Sequence, residues 1–157
     1  MTDTGRLRTA IGDALRDRRR WHHLIRHDHS ERVCELLHVS ADVELWLVCW
    51  AAGHDTGFHD HDHSAAEIAV VSGAIREERL VLHDEPISAT HEQGAWVSVP
   101  SGDIHRVTHA AGRPAVTLHA YAPRLERVGT YVIAEDGRLR RHVAPADTVL
   151  AAATAAA

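Results

Sequence analysis

The chain changes its hydrophobic rhythm once. Up to about residue 26, Leu7, Ile11, Ala14, Arg18, Trp21 and Ile25 follow helical spacing, with arginines and aspartates filling the remaining positions. This predicts one or two helices over residues 4–26. Beyond residue 32 the pattern becomes that of strands. Residues 33–39 and 43–50 read as a hairpin, and 58–61, 67–72, 74–82, 95–99, 105–109, 115–121, 129–134 and 139–143 continue the series. Asp136-Gly137 marks a tight turn into the last of them. Short strands punctuated by glycine and proline predict an all-β jelly-roll barrel with N-terminal helices. Residues 1–30 are expected to pack on the outside of a barrel formed by 31–145, and the alanine-rich stretch 146–157 is expected to be a disordered tail.

Composition narrows the class. A chain of 157 residues supports one domain. All 17 basic residues are arginines and the net charge is −5 with histidines neutral, so no basic footprint suggests nucleic acid. The N-terminus has no apolar signal core and no stretch reaches transmembrane length, so no membrane association and a cytoplasmic location are expected. A monomer or homodimer is expected. Cys34 and Cys49 fit a reduced compartment as packed free thiols, although a hairpin centred near Ala41-Asp42 would set them almost opposite each other.

The candidate chemistry lies between Gly53 and His109. One motif reads Gly53, five residues, His59-Asp60-His61, then Ala66 and Gly73. The other reads Gly94, five residues, Pro100-Ser101-Gly102, two residues, His105, three residues, His109. Histidines at i and i+2 on a strand share a face. A third imidazole, presented by a Pro-x-Gly turn, completes a three-nitrogen metal site. With 15 histidines some His-x-His pairs arise by abundance, but abundance does not place the glycines and proline. The spacings match the paired motifs of the cupin superfamily, whose usual glutamate ligand is replaced here by Ala66. Glu67 is one residue out of register and is expected on the opposite face. The predicted ligands are therefore His59, His61 and His105. Asp60 is expected to orient a loop or a ligand imidazole. His63 shares ligand parity, which leaves an approach to the cavity open, and His109 is expected to face the barrel interior. The exposed-looking His22 to Arg26 segment could cover the barrel mouth.

Thr117, His119 and Tyr121 share one face of a predicted strand whose other face is Val116, Leu118 and Ala120. The polar face meets either solvent or the cavity. Here the chain resembles the cysteine dioxygenase family, through Cys49-Trp50, Gly57-Phe58-His59-Asp60-His61, Pro100-x-Gly-x-x-His105-Arg106-Val107 and Pro114 to Pro123. The resemblance implies ferrous iron on the three histidines and an outer hydrogen-bond triad of Thr117, His119 and Tyr121, with threonine in place of the family's serine. It implies a thiol dioxygenase that adds both atoms of O2 to sulfur, giving a sulfinic acid. The thioether found in some members cannot form, because its cysteine position is Ala66; that small side chain is expected to leave room for substrate.

The family's substrate-anchoring arginine is harder to place. A gapless overlay puts Val33 there, which leans away from free cysteine, whereas one inserted hairpin residue brings in Arg32. Cysteine, a mercaptopropionate, cysteamine and a thioimidazole such as ergothioneine all stay open. Imidazole alone does not select the metal. Three neutral ligands do leave its full charge, which favours a bound thiolate. The alternatives are a redox-inert metal-dependent cupin, such as an isomerase or epimerase, and a small-molecule-binding sensor.

Overall fold

The computed structural model describes residues 3–146. All but the first residue of the predicted tail lies outside the described residues. Helix α1, Asp3–Arg16, buries Leu7 and Ile11 and carries Asp3 in its first turn and Arg16 in its last, matching the helix dipole. It is shorter than expected. The Trp21 indole N–H donates to the Ala14 carbonyl at 2.9 Å, serving an oxygen that the helix end leaves free. The chain turns back through two short 3-10 turns, Arg18–Arg20 and His22–Leu24. Leu24 and Ile25 pack with Leu7 and Ile11 against the outer face of the barrel, so this segment does not cover the mouth.

The strands are β1 (Val33–Val39), β2 (Glu44–Trp50), β3 (His59–Asp60), β4 (Ala65–Ser72), β5 (Ala74–Arg79), β6 (Ile87–Glu92), β7 (Trp96–Val99), β8 (His105–His109), β9 (Ala115–Ala122), β10 (Arg127–Ile133) and β11 (Leu139–Pro145). They form two sheets, β1-β2-β9-β4-β7 and β11-β10-β3-β8-β5-β6, which face each other as a jelly-roll barrel. The central strands of the first sheet, β2, β9 and β4, are buried on both sides. Ile68, Val70, Val97, Val99 and Tyr121 point into the barrel, while Leu45, Leu47, Val116, Leu118 and Ala120 pack beneath α1. Every residue of β9 is buried for this reason. The two faces of its alternating pattern enter different compartments, and neither meets solvent.

Two boundaries differ from expectation. β5 stops at Arg79, and Leu82 is 91% exposed. Strand β6 lacks a predicted counterpart. It is a mostly exposed edge strand, so burial imposes no apolar alternation on it.

The β1–β2 hairpin contains a bulge. Its register runs Val39↔Glu44 and His38↔Leu45, then shifts, with Leu37 as the extra residue, to Leu36↔Trp46, Cys34↔Val48 and Val33↔Cys49. Cys34 consequently faces the barrel interior and Cys49 the α1 side, and both are buried free thiols.

Gly73 joins β4 to β5 at φ +70°, and a Cβ there would lie 2.7 Å from both Ala115 Cα and the Pro114 carbonyl oxygen. Gly73→Ala is expected to destabilise the barrel by at least about 1–3 kcal/mol through the left-handed backbone alone. An unchanged denaturation midpoint would show that the turn relaxes freely.

Candidate metal centre

β3 and β8 pair so that His59 lies opposite His105. His61 follows β3 directly and shares the inward face. The ring centroids are 5.1 Å apart for His59–His61, 4.6 Å for His59–His105 and 5.0 Å for His61–His105. One nitrogen from each ring lies within 4.8 Å of the others. This is the one such metal-ligand group among the described residues.

The hydrogen bonds orient two of the rings. His59 Nδ1 donates to the Gly57 carbonyl at 3.0 Å, and His105 Nδ1 donates to Glu77 Oε1 at 2.9 Å. Each Nε2 is then left with a lone pair. His105 Nε2 and His61 Nδ1 are buried without a hydrogen-bond partner, an arrangement that costs free energy unless something binds there. Burial and the neighbouring His105 push the His59 pKa down to about 3. Burial, reinforced by His59 and His105, holds His61 well below its ordinary value. Neutral imidazoles with free lone pairs fit a divalent metal ion.

The support around His59 is continuous with β8. The Gly57 amide donates to Asp55 Oδ1 at 2.7 Å, and Asp55 accepts a forked ion pair from Arg106. The Val107 amide donates to Thr56 Oγ1 at 2.9 Å. The loop that aims His59 is thereby fastened to the strand that carries His105.

Asp60 lies between His59 and His61 but faces away from them. It accepts hydrogen bonds from Tyr131, Arg141 and the Asp62 amide. Burial works against its charge, yet these donors outweigh burial and hold its pKa below the usual carboxylate range. Asp60 fastens β3 to β10 and β11 and contacts no ligand imidazole. Asp62 adopts φ +55°, ending strand parity, and the His63 side chain is 83% exposed. His63 is therefore outside the cavity. His54 Nδ1 accepts from the Ala51 amide at 3.0 Å, and His109 Nε2 donates to the Arg113 carbonyl at 3.0 Å. Both close turns, so His109 does not serve the barrel interior as expected.

The polar face of β9 lines the cavity. Trp50 Nε1 donates to Thr117 Oγ1 at 2.8 Å, and Thr117 Oγ1 lies 2.8 Å from His119 Nε2 but 3.5 Å from the Val48 carbonyl. His119 Nδ1 lies 3.4 Å from the Tyr121 hydroxyl. An indole N–H only donates, which gives the series a direction. Thr117 donates to His119, His119 donates to the Tyr121 oxygen, and the phenolic proton is left for the cavity. Burial, then the nearby His105, lowers the His119 pKa to about 3, so this imidazole is neutral. Burial also raises the Tyr121 pKa and keeps the phenol protonated. The Tyr121 ring sits 5.1 Å from that of His61.

The bulge settles the placement of Arg32. It shares parity with Cys34, and both side chains line a cavity of about 70 Å³ with His59, His61, His105, His119 and Tyr121. Its guanidinium carbon lies 5.1 Å from the Trp50 ring centroid, and Nη1 donates to the Asp55 carbonyl at 3.3 Å. Val33 points into the α1-side core, contrary to the gapless overlay. Ala66 pairs with Tyr121 across β4 and β9 and packs in the apolar interior. It is not among the residues that line that cavity. A wider recess of about 570 Å³ between α1 and the β1–β2 hairpin contains none of these groups.

Glu77 is the site-supporting residue that sequence reasoning missed. Ile75, Glu77 and Arg79 alternate on β5, so the available signal was an acid at an inward-facing position. Glu67, by contrast, faces α1 as expected, where Arg8 and Ser98 donate to it.

A jelly-roll barrel with three convergent imidazoles inside defines a three-histidine cupin. The family model described as cysteine dioxygenase type I matches residues 10–133, and the chain belongs to this family. Cysteine dioxygenase type 1 of Danio rerio is 26% identical over 98 residues, covering 55% of this chain and 48% of that protein. The Rattus norvegicus enzyme is 30% identical over 92 residues, covering 50% and 44%. The chain thus spans about half the length of the curated relatives it matches. A Klebsiella pneumoniae protein with a double-stranded β-helix domain superposes with a TM-score of 0.57 at 14% identity, covering 76% of this chain and 91% of that one. That likeness establishes the fold. Among the described residues, no helix is long and apolar enough to cross a membrane.

Proposed function

We propose that the protein is a thiol dioxygenase acting on a short thiol that carries a carboxylate, converting RSH and O2 to RSO2H. The observation that carries this reading is one cavity lined by three convergent imidazoles, a directed Thr117–His119–Tyr121 series and Arg32. Ferrous iron on His59, His61 and His105 would supply the redox-active centre at which thiolate and dioxygen react. Arg32 offers a planar fork that matches a carboxylate, stiffened by its contact with Trp50. Tyr121 holds its proton at Oη and presents it to the sulfur or to the oxygen being transferred. Thr117 and His119 fix the phenol's orientation from below. Val48, Val107, Leu125 and Val128 form the apolar wall and limit water.

The cavity wall carries no acidic side chain among the described residues, so nothing on it pairs with a substrate ammonium. This favours carboxylate recognition over amine recognition, and with Arg32 on the wall the gapless overlay no longer argues against free cysteine.

The iron-loaded protein should consume oxygen with 3-mercaptopropionate or cysteine and yield the sulfinate by mass spectrometry. Arg32→Ala should raise KM for those thiols by an equivalent of about 1.5–3 kcal/mol, the worth of a hydrogen bond to a charged group. It should leave cysteamine, which has no carboxylate, unaffected. No oxygen uptake with any member of that panel would overturn the proposal.

A further inference from the structure

The three imidazoles are not equivalent, and the difference lies one bond further out. His59 donates its Nδ1 proton to a neutral carbonyl, His61 Nδ1 has no partner, and His105 donates to a carboxylate. That carboxylate, Glu77, is enclosed on β5 with a side chain only 6% exposed. Enclosing a carboxylate costs several kcal/mol unless it is paired and hydrogen-bonded. Arg79 Nε donates to Oε1 at 3.1 Å, but the same guanidinium also serves Asp103 at 3.2 Å and the Ser98 carbonyl. His91 Nε2 lies 3.4 Å from Oε2 without a hydrogen bond to it. Glu77 is thus fixed in orientation while much of its negative charge is directed at His105.

We infer that Glu77 is a positioning residue for the metal centre, acting through His105. It locks the tautomer that turns the His105 Nε2 lone pair inward. It also draws on the Nδ1 proton and so makes this ring a stronger electron donor than His59 or His61. The barrel has no carboxylate ligand, since Ala66 occupies that position. Glu77 returns a negative charge at one remove, leaving the inner positions open. Carboxylates hydrogen-bonded to metal-binding histidines act in this way in general. His105 becomes the anchoring ligand of the three. This inference rests on the three histidines binding a metal ion and is independent of which thiol is oxidised.

The test uses the full chain and Co(II), with affinity measured by competition against a chromophoric chelator. Glu77→Gln keeps the shape and one oxygen acceptor but removes the charge, whereas Glu77→Ala removes both. Affinity is expected to fall by about 10-fold for Gln and towards 100-fold for Ala. The iron-loaded Gln variant should show a higher Fe(III)/Fe(II) potential than the parent, a readout that a purely structural role would not move. Its melting temperature separates loss of charge from loss of fold. A Gln variant that matches the parent in both Co(II) affinity and potential overturns the inference. A parent protein that binds no Co(II) overturns the three-histidine reading itself.

Discussion

Substituting His61 by alanine is expected to abolish metal retention while leaving the barrel's stability nearly intact. His61 is the ligand of choice for this test because its Nδ1 holds no hydrogen bond, so the substitution strands no partner. His105→Ala would also empty the site, but it removes a donor from the enclosed Glu77 carboxylate and should cost about 1–3 kcal/mol of stability in addition. Losing one of three ligands should weaken binding beyond the roughly 10–100-fold typical of a supporting residue. Oxygen uptake should fall to background. Elemental analysis of the purified His61→Ala protein decides the matter, since stoichiometric metal in that variant would remove His61 from the site.

Tyr121→Phe is expected to lower turnover by about 10²-fold or more, the usual effect of losing one hydrogen-bond donor at a reacting centre. Metal content should not change. Phenylalanine keeps the ring packed beside His61, 5.1 Å between centroids, and deletes only the hydroxyl. Burial raises the tyrosine pKa, so the wild-type phenol remains a donor throughout the working pH range. Thr117→Val should reproduce part of the defect by releasing His119, which accepts from Thr117 in the directed series. Steady-state oxygen consumption with metal content measured on the same sample separates these effects. Wild-type turnover in Tyr121→Phe would mean that the β9 series is only structural.

The three candidate ligands were legible in the sequence because their positions are set by strand parity and turn glycines, both of which are local. His59 and His61 needed only the period of a strand, and Glu67 was excluded by the same rule. The polar face of β9 was ambiguous because burial on both faces depends on α1 covering the outside, which a strand's own pattern does not record. Glu77 was missed because it meets His105 diagonally across the β5–β8 pairing, where Glu77 lies opposite Val107 and Arg79 opposite His105. The parity that left His63 open does not extend past Asp62, whose left-handed backbone cancels it.

The Leu37 bulge resembles a frameshift written in side chains. Extended without the bulge, the Val39↔Glu44 register would set Cys34 opposite Cys49, turn Val33 inward and send Arg32 outside the barrel. Every residue upstream of the bulge would exchange faces while every residue downstream kept its place. One codon in a surface hairpin therefore decides whether the cavity presents a cation or an isopropyl group to the head of its guest. Inheritance can retune such a pocket without touching a single residue that lines it. Among homologues, a one-residue gap in this hairpin should accordingly sort preferences for charged and uncharged thiols better than overall identity does.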